Sequence, residues 1–212
     1  FVHPVFGTPE TAGENHITKV ESDELSARSW NIQYPPQLKG PIRQFIRRNR
    51  QPTETIPAYH LSGHLVRIQI KLNKRMSIMM FDANTPVDTY TTRTFATQLR
   101  TFFKSPLFDR DSRRRLRRVF REDATVIEAA LPRELPDDLS NELSVKDDKF
   151  MSGFRFARRN WIKKGYKIDT EKLRAHEGRK VFAIPSPGRR EHPNIKWAAE
   201  TVPLTSVVGL DA

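Results

Sequence analysis

Val66-Arg67-Ile68-Gln69-Ile70-Lys71-Leu72 alternates apolar and polar residues without a break. An extended strand with one covered face is the conformation that puts every second side chain on the same side. Asn73 and Lys74 make a turn, and Arg75 to Asp82 reads as a second strand. The pattern breaks at Asn84 to Pro86, and a β-branched run from about Thr89 to Phe95 opens a third strand that ends near Phe103. Three strands joined by short turns predict an antiparallel meander with one face covered. Toward the N-terminus, strand-like runs occur at His16 to Val20 and Ala27 to Tyr34. The Pro- and Arg-rich stretch from Pro35 to Pro57 lacks alternation and reads as a long connection or a short helix over the sheet.

Beyond Phe103 the period changes. Leu116, Val119, Phe120, Val126, Ile127, Ala130 and Leu131 recur at helical spacing, which predicts a helix from Asp109 to Leu131 with Asp109 or Asp111 as N-cap and Pro132 as the stop. Leu131 to Pro136 is a stiff connector. A second helix is predicted from Asp147 to Lys164, with Phe150, Phe154, Ala157 and Trp161 on one face and Gly165 at its C-terminal end. From Thr170 to Ala212 periodic signals are few and prolines several, so this segment is expected to be an extended tail docked through Val181, Phe182 and Trp197. Strands first and long helices last point to an α+β fold, with a helix packed on an antiparallel sheet.

Composition narrows the function classes. The 212 residues suffice for one domain, or one domain plus a tail. No apolar run approaches membrane-spanning length, and no signal-peptide pattern opens the chain, which starts with Phe rather than a native Met. The absence of Cys removes disulfides, thiol nucleophiles and iron–sulfur ligation within this chain, and fits a reducing, cytoplasmic setting. The net charge of +12 is concentrated in two clusters. One comprises Arg110, Arg113, Arg114, Arg115, Arg117, Arg118 and Arg121; the other comprises Arg155, Arg158, Arg159, Lys163, Lys164 and Lys167. Either could grip phosphates, but a solvated basic face is the commoner reason for such runs, and no nucleic-acid-binding signature accompanies them.

Asp123 is the residue that composition does not explain. On the helical wheel it falls between Phe120 and Ile127, inside the apolar stripe and away from the arginines. A buried ionised carboxylate costs several kcal/mol unless it is paired or metal-bound. A structural Asp satisfied by an Arg or by backbone amides is one explanation; metal ligation or catalysis is the other. Among the six histidines, His60 and His64 have metal-like spacing but lie at a strand end without an accompanying helix-borne Glu, which favours a metal-free surface pair.

Phe1-Val2-His3-Pro4-Val5-Phe6-Gly7 resembles the start of the catalytic domain of Rieske-type non-haem iron oxygenases of the vanillate O-demethylase kind. Thr85-Pro86-Val87-Asp88 with Thr91-Thr92-Arg93 is similar to that family's strand after a substrate-lining turn. Phe120-Arg121-Glu122-Asp123-Ala124-Thr125-Val126-Ile127-Glu128 resembles its ligand-bearing helix, and Leu135-Pro136-Asp137-Asp138-Leu139-Ser140 its C-terminal pattern. The resemblance implies a helix-grip antiparallel sheet with a long helix packed across it, over residues 1–168, followed by a tail over 169–212. It implies His3 and Asp123 as ligands of a mononuclear Fe(II), with no further catalytic residue, the remaining His lying upstream of Phe1. It implies hydroxylation or oxidative demethylation of an aromatic or apolar substrate with dioxygen. Electrons would come from a Rieske two-iron two-sulfur cluster in a missing N-terminal domain, fed by a ferredoxin or reductase, in a homotrimer. An N-terminally truncated chain of this kind is expected to be inactive alone. The basic helix face would suit an acidic ferredoxin-like donor. The competing readings are a basic polyanion-binding module and a metal-free carrier of hydrophobic ligands with the same helix-grip shape.

Overall fold

A computed structural model describes residues 13, 15–34, 52–61, 64–88, 90–133, 143, 148–176 and 178–206. Six strands pair in sequence order as one antiparallel sheet: β1 (His16–Ser22), β2 (Ser26–Gln33), β3 (Thr53–His60), β4 (Leu65–Lys71), β5 (Ser77–Pro86) and β6 (Thr92–Arg100). Two long helices follow, α1 (Asp109–Ala129) and α2 (Lys149–Trp161), then two short ones, α3 (Thr170–Arg174) and α4 (Pro187–Glu191). The architecture is α+β, as the sequence pattern predicts, with an open sheet consistent with the helix-grip arrangement that the resemblance implies.

Two strand expectations need correction. Thr53–His60 is a strand rather than part of a connection or helix; the part of that stretch from 35 to 51 lies outside the described residues. Pro57 hides β3 from a pattern reading because proline cannot donate to a ladder. The sheet accommodates it where the β2–β3 pairing lapses, between Arg28↔Ala58 and Asn31↔Thr55. Likewise, Asn84 to Pro86 does not break β5, which runs to Pro86. The β4 ladder ends at Leu65↔Ala83, so the missing N–H of Pro86 faces no partner on that side.

The register fixes which side chains share the covered face. Tyr59 pairs with Val66, Val66 with Asp82, and Asp82 with Ala96. Thus Tyr59, Val66, Ile68, Ile70, Ile78, Met80, Asp82, Asn84, Ala96, Gln98 and Arg100 all lie on one side. Both long helices cover that side. On α2, Phe150 and Phe154 pack against Tyr59 with ring centroids 5.3 and 5.1 Å away. Gly153 lies beside this contact, where an added Cβ would meet the Tyr59 hydroxyl at an ordinary van der Waals distance of 3.6 Å. Ala157 is buried, and Trp161 stacks on Tyr166 at 4.2 Å. A π-helical turn (Ile162–Tyr166) ends α2, and Gly165 takes φ 78°, a conformation that favours glycine.

The start of α1 is tied to β6. Arg100 donates to Asp109 at 2.5 Å and to the Phe103 carbonyl at 3.0 Å, while the Ser112 hydroxyl donates to Gln98 at 2.5 Å. Neither expected aspartate caps the helix. Phe108 occupies the N-cap without a side-chain bond, and Asp111 instead pairs with Arg114 and Arg115.

The C-terminal segment seats only in part as expected: Phe182 is half-buried and stacks on His176 at 5.7 Å, whereas the other two expected docking residues stay at the surface. Val181 is 83% exposed, and Trp197 stacks under Arg189 at the surface. The buried residues are Pro185 and Val202. The chain is pinned by the Ile168↔Leu204 and Ala183↔Thr201 bridges and by Arg190 over the Tyr166 ring at 4.1 Å.

Two outcomes test this packing. Burial, aided by the charge of Asp23, pushes the Tyr59 hydroxyl up to about 12 from its ordinary 10.0. Between those values the unfolded chain loses the proton first, so stability falls as the pH rises through the window. Denaturation across that window shows the decline in the wild type, and the Tyr59→Phe variant lacks this component. Arg100→Ala removes charge-assisted bonds that anchor α1, and is expected to cost about 1–3 kcal/mol. A lowered denaturant midpoint at constant m-value would register it.

Candidate functional site

The ladder Asp109, Ser112, Leu116, Val119 and Asp123 recurs at three- and four-residue steps and defines the sheet-facing stripe of α1. Its first two members touch β6, so the fifth lies over the same side of the sheet roughly 21 Å further along the axis. Asp123 is half-buried there and engaged in interactions. The apolar stripe does not stay covered past it: Val126 and Leu131 are exposed, and Ile127 is 71% exposed. Burial of α1 thus ends at about the turn that carries the carboxylate.

Opposite stands a second carboxylate that the pattern reading passed over as the end of a strand. Asp82 is 8% exposed, and its Oδ1 has no hydrogen-bond partner among the described residues. Burial pushes its carboxyl above the usual range, and the charge of Asp123 pushes it further. The charge of Asp123 therefore acts on Asp82, after burial the second cause of its raised carboxyl. Parity could have identified Asp82: it is an acid at an inward position in a strand whose other inward residues include Ile78 and Met80.

Beside Asp82 opens a cleft of about 990 Å³ between the sheet and α2. The cross-strand partner of Asp82, Val66, and its i+2 neighbour, Asn84, line this cleft. Tyr59, Phe154, Trp161 and Tyr166 supply aromatic walls. Arg133, Arg158, Lys167, His60 and His64 supply polar and cationic groups, and no Asp or Glu is among the lining residues. The lining is therefore cationic and aromatic, and neither Asp82 nor Asp123 belongs to it.

His60 and His64 share this cleft without a metal-ligand set around them; among the described residues no group of three His, Cys, Asp or Glu could hold a metal ion. His64 adopts φ 47°, a turn conformation that histidine tolerates better than most residues. His3 and the heptapeptide around it lie outside the described residues, as do residues 134–142 of the family-like connector. On β5, Met80 is buried under the helices, while Met79 and Phe81 take the opposite parity. Met76, Met79, Met80 and Phe81 are all absent from the cleft lining.

The first basic cluster forms the outward face of α1. Asp111 pairs with Arg114 and Arg115, and Glu122 with Arg118, so intrahelical ion pairs offset part of the charge. Most of the second cluster lies on and just after α2, where Arg158 and Lys167 turn to the cleft. No helix among the described residues is long and apolar enough to cross a membrane.

The model of one protein family, the vanillate O-demethylase oxygenase C-terminal domain, matches residues 1–164. No curated protein matches the chain. Among solved structures, the Pseudomonas putida CBB5 NdmA QL mutant with caffeine aligns at a TM-score of 0.52 and 19% identity. That alignment covers 88% of this chain and 49% of the other. The same mutant with theobromine aligns at a TM-score of 0.49 and 19% identity, over 88% and 48%. The likeness is one of fold, and the chain spans about half the length of these proteins.

Proposed function

This chain belongs to the vanillate O-demethylase oxygenase C-terminal domain family, and from that premise we propose that it is the catalytic domain of a Rieske-type oxygenase. In this reading it hydroxylates or oxidatively demethylates an aromatic small molecule with dioxygen at a mononuclear Fe(II). The observation that carries the reading is Asp123, a half-buried carboxylate held over the sheet against the buried Asp82. Two like charges brought together under a sheet are costly, and a bound cation would offset that cost. A metal-free carrier of hydrophobic ligands has no use for such a pair.

Asp123 would hold the iron through its carboxylate and His3 through its imidazole, with a further His outside this chain. Iron bound by two imidazoles and one carboxylate supplies oxygen activation at its open positions. The protein's own part is to seat the substrate. Tyr59, Phe154 and Trp161 offer ring faces and edges for an aromatic body, and closing them around it excludes water. Arg133, Arg158 and Lys167 attract an anionic substituent to the mouth of the cleft. Electrons would arrive from a Rieske cluster in another domain, supplied by a ferredoxin or reductase and passed across a subunit boundary in a homotrimer. The exposed arginines of α1 are the face we assign to the acidic donor.

The test is Asp123→Ala in the full-length enzyme. Bound iron and turnover are expected to fall together by at least about tenfold. Unchanged iron and turnover would refute the assignment and leave Asp123 as a structural acid. The polyanion alternative would instead show binding that collapses between low and moderate salt.

A further inference from the structure

We propose that Asp82 determines substrate specificity: its buried carboxylate accepts a hydrogen bond from a donor on the aromatic substrate, a hydroxyl or a ring N–H. The identity of the ligand as an aromatic substrate rests on the oxygenase reading; the need for a donor rests on the fold.

Three polar side chains follow one another on the covered face of β5 and β6, and two are satisfied internally. Asn84 Oδ1 accepts from the Thr94 hydroxyl at 2.7 Å, and Gln98 Oε1 accepts from Ser112 at 2.5 Å. Asp82 lies between them and is not satisfied: its Oδ1 is buried and has no hydrogen-bond partner among the described residues. Its cross-strand neighbours, Val66 and Ala96, carry no donor in their side chains. Its cross-strand partner Val66 and its i+2 neighbour Asn84 both line the aromatic cleft, which places Asp82 next to that lining. A buried acceptor left unused is a standing cost to the fold, of the kind retained at sites that serve a ligand. A donor reaching it from the cleft would gain a charge-assisted bond, and an analogue with that donor capped by a methyl group would bury the acceptor unpaired.

The experiment measures binding by calorimetry in the full-length protein, without turnover, for two probe pairs. Each pair sets a donor against its methyl-capped analogue: 4-hydroxy-3-methoxybenzoate against 3,4-dimethoxybenzoate, and theobromine against caffeine. The wild type is expected to prefer the donor member of at least one pair by about tenfold to a hundredfold. Asp82→Leu is expected to erase that preference, while Asp82→Asn, which keeps an acceptor oxygen, retains part of it. Neither variant is expected to lower the thermal midpoint, since no internal bond is lost. Equal affinity within both pairs, no binding of any probe, a preference unchanged in Asp82→Leu, or a lowered midpoint in both variants would overturn the proposal. Loss of bound iron in Asp82→Leu would also overturn it, by assigning the carboxylate to the metal. Failure of the oxygenase reading shows elsewhere, in the iron content of Asp123→Ala.

Discussion

The register of β5 between its two neighbours is the constraint on which the site depends. Because side chains alternate with a period of two, a slip of one residue would carry Met80, Asp82 and Asn84 to the outer face and bring Met79 and Phe81 under the helices. The slip is resisted from both sides. Ile68 and Ile70 would lose their apolar partners Met80 and Ile78, and the Thr94–Asn84 bond to β6 would be broken. The apolar pairs thus hold in place a carboxylate that the core would otherwise exclude.

The helices meet this sheet at two separate clamps. Near β6, Arg100 and Gln98 fasten the first turn of α1, which aims its stripe along the sheet toward Asp123. Near β3, Tyr59 receives Phe150 and Phe154 of α2. The cleft lies on the α2 side, where Arg133, Arg158 and Lys167 are among its lining residues and no Asp or Glu is.

Much of this was legible in the sequence where the hydrophobic period is strong. The β4 alternation and the helical spacing of α1 and α2 are set by burial on one side only, and the observed elements follow them. What escaped has physical reasons. Pro57 disguises β3, whose tolerance of proline depends on a lapse in pairing with β2 that only the sheet reveals. Asn84 to Pro86 resembles a break, because the early end of the β4 ladder is not written in β5 itself. The stripe around Asp123 suggested burial through Leu131, yet Ile127 and Leu131 are exposed, since nothing among the described residues covers the last turn of α1. Asp123 could be singled out from one helix wheel. Asp82 was marked only by its inward parity on β5, a weaker signal than a helix wheel because the register that sets which face is covered is not written in the strand itself.

Anomalous diffraction at the iron edge, from crystals of the full-length protein grown with Fe(II), tests the central claim most directly. The account predicts an iron peak within bonding distance of the Asp123 carboxylate, under the covered face of the sheet and beside Asp82. A well-ordered Asp123 with no iron against it, or iron bound elsewhere in the chain, would contradict it.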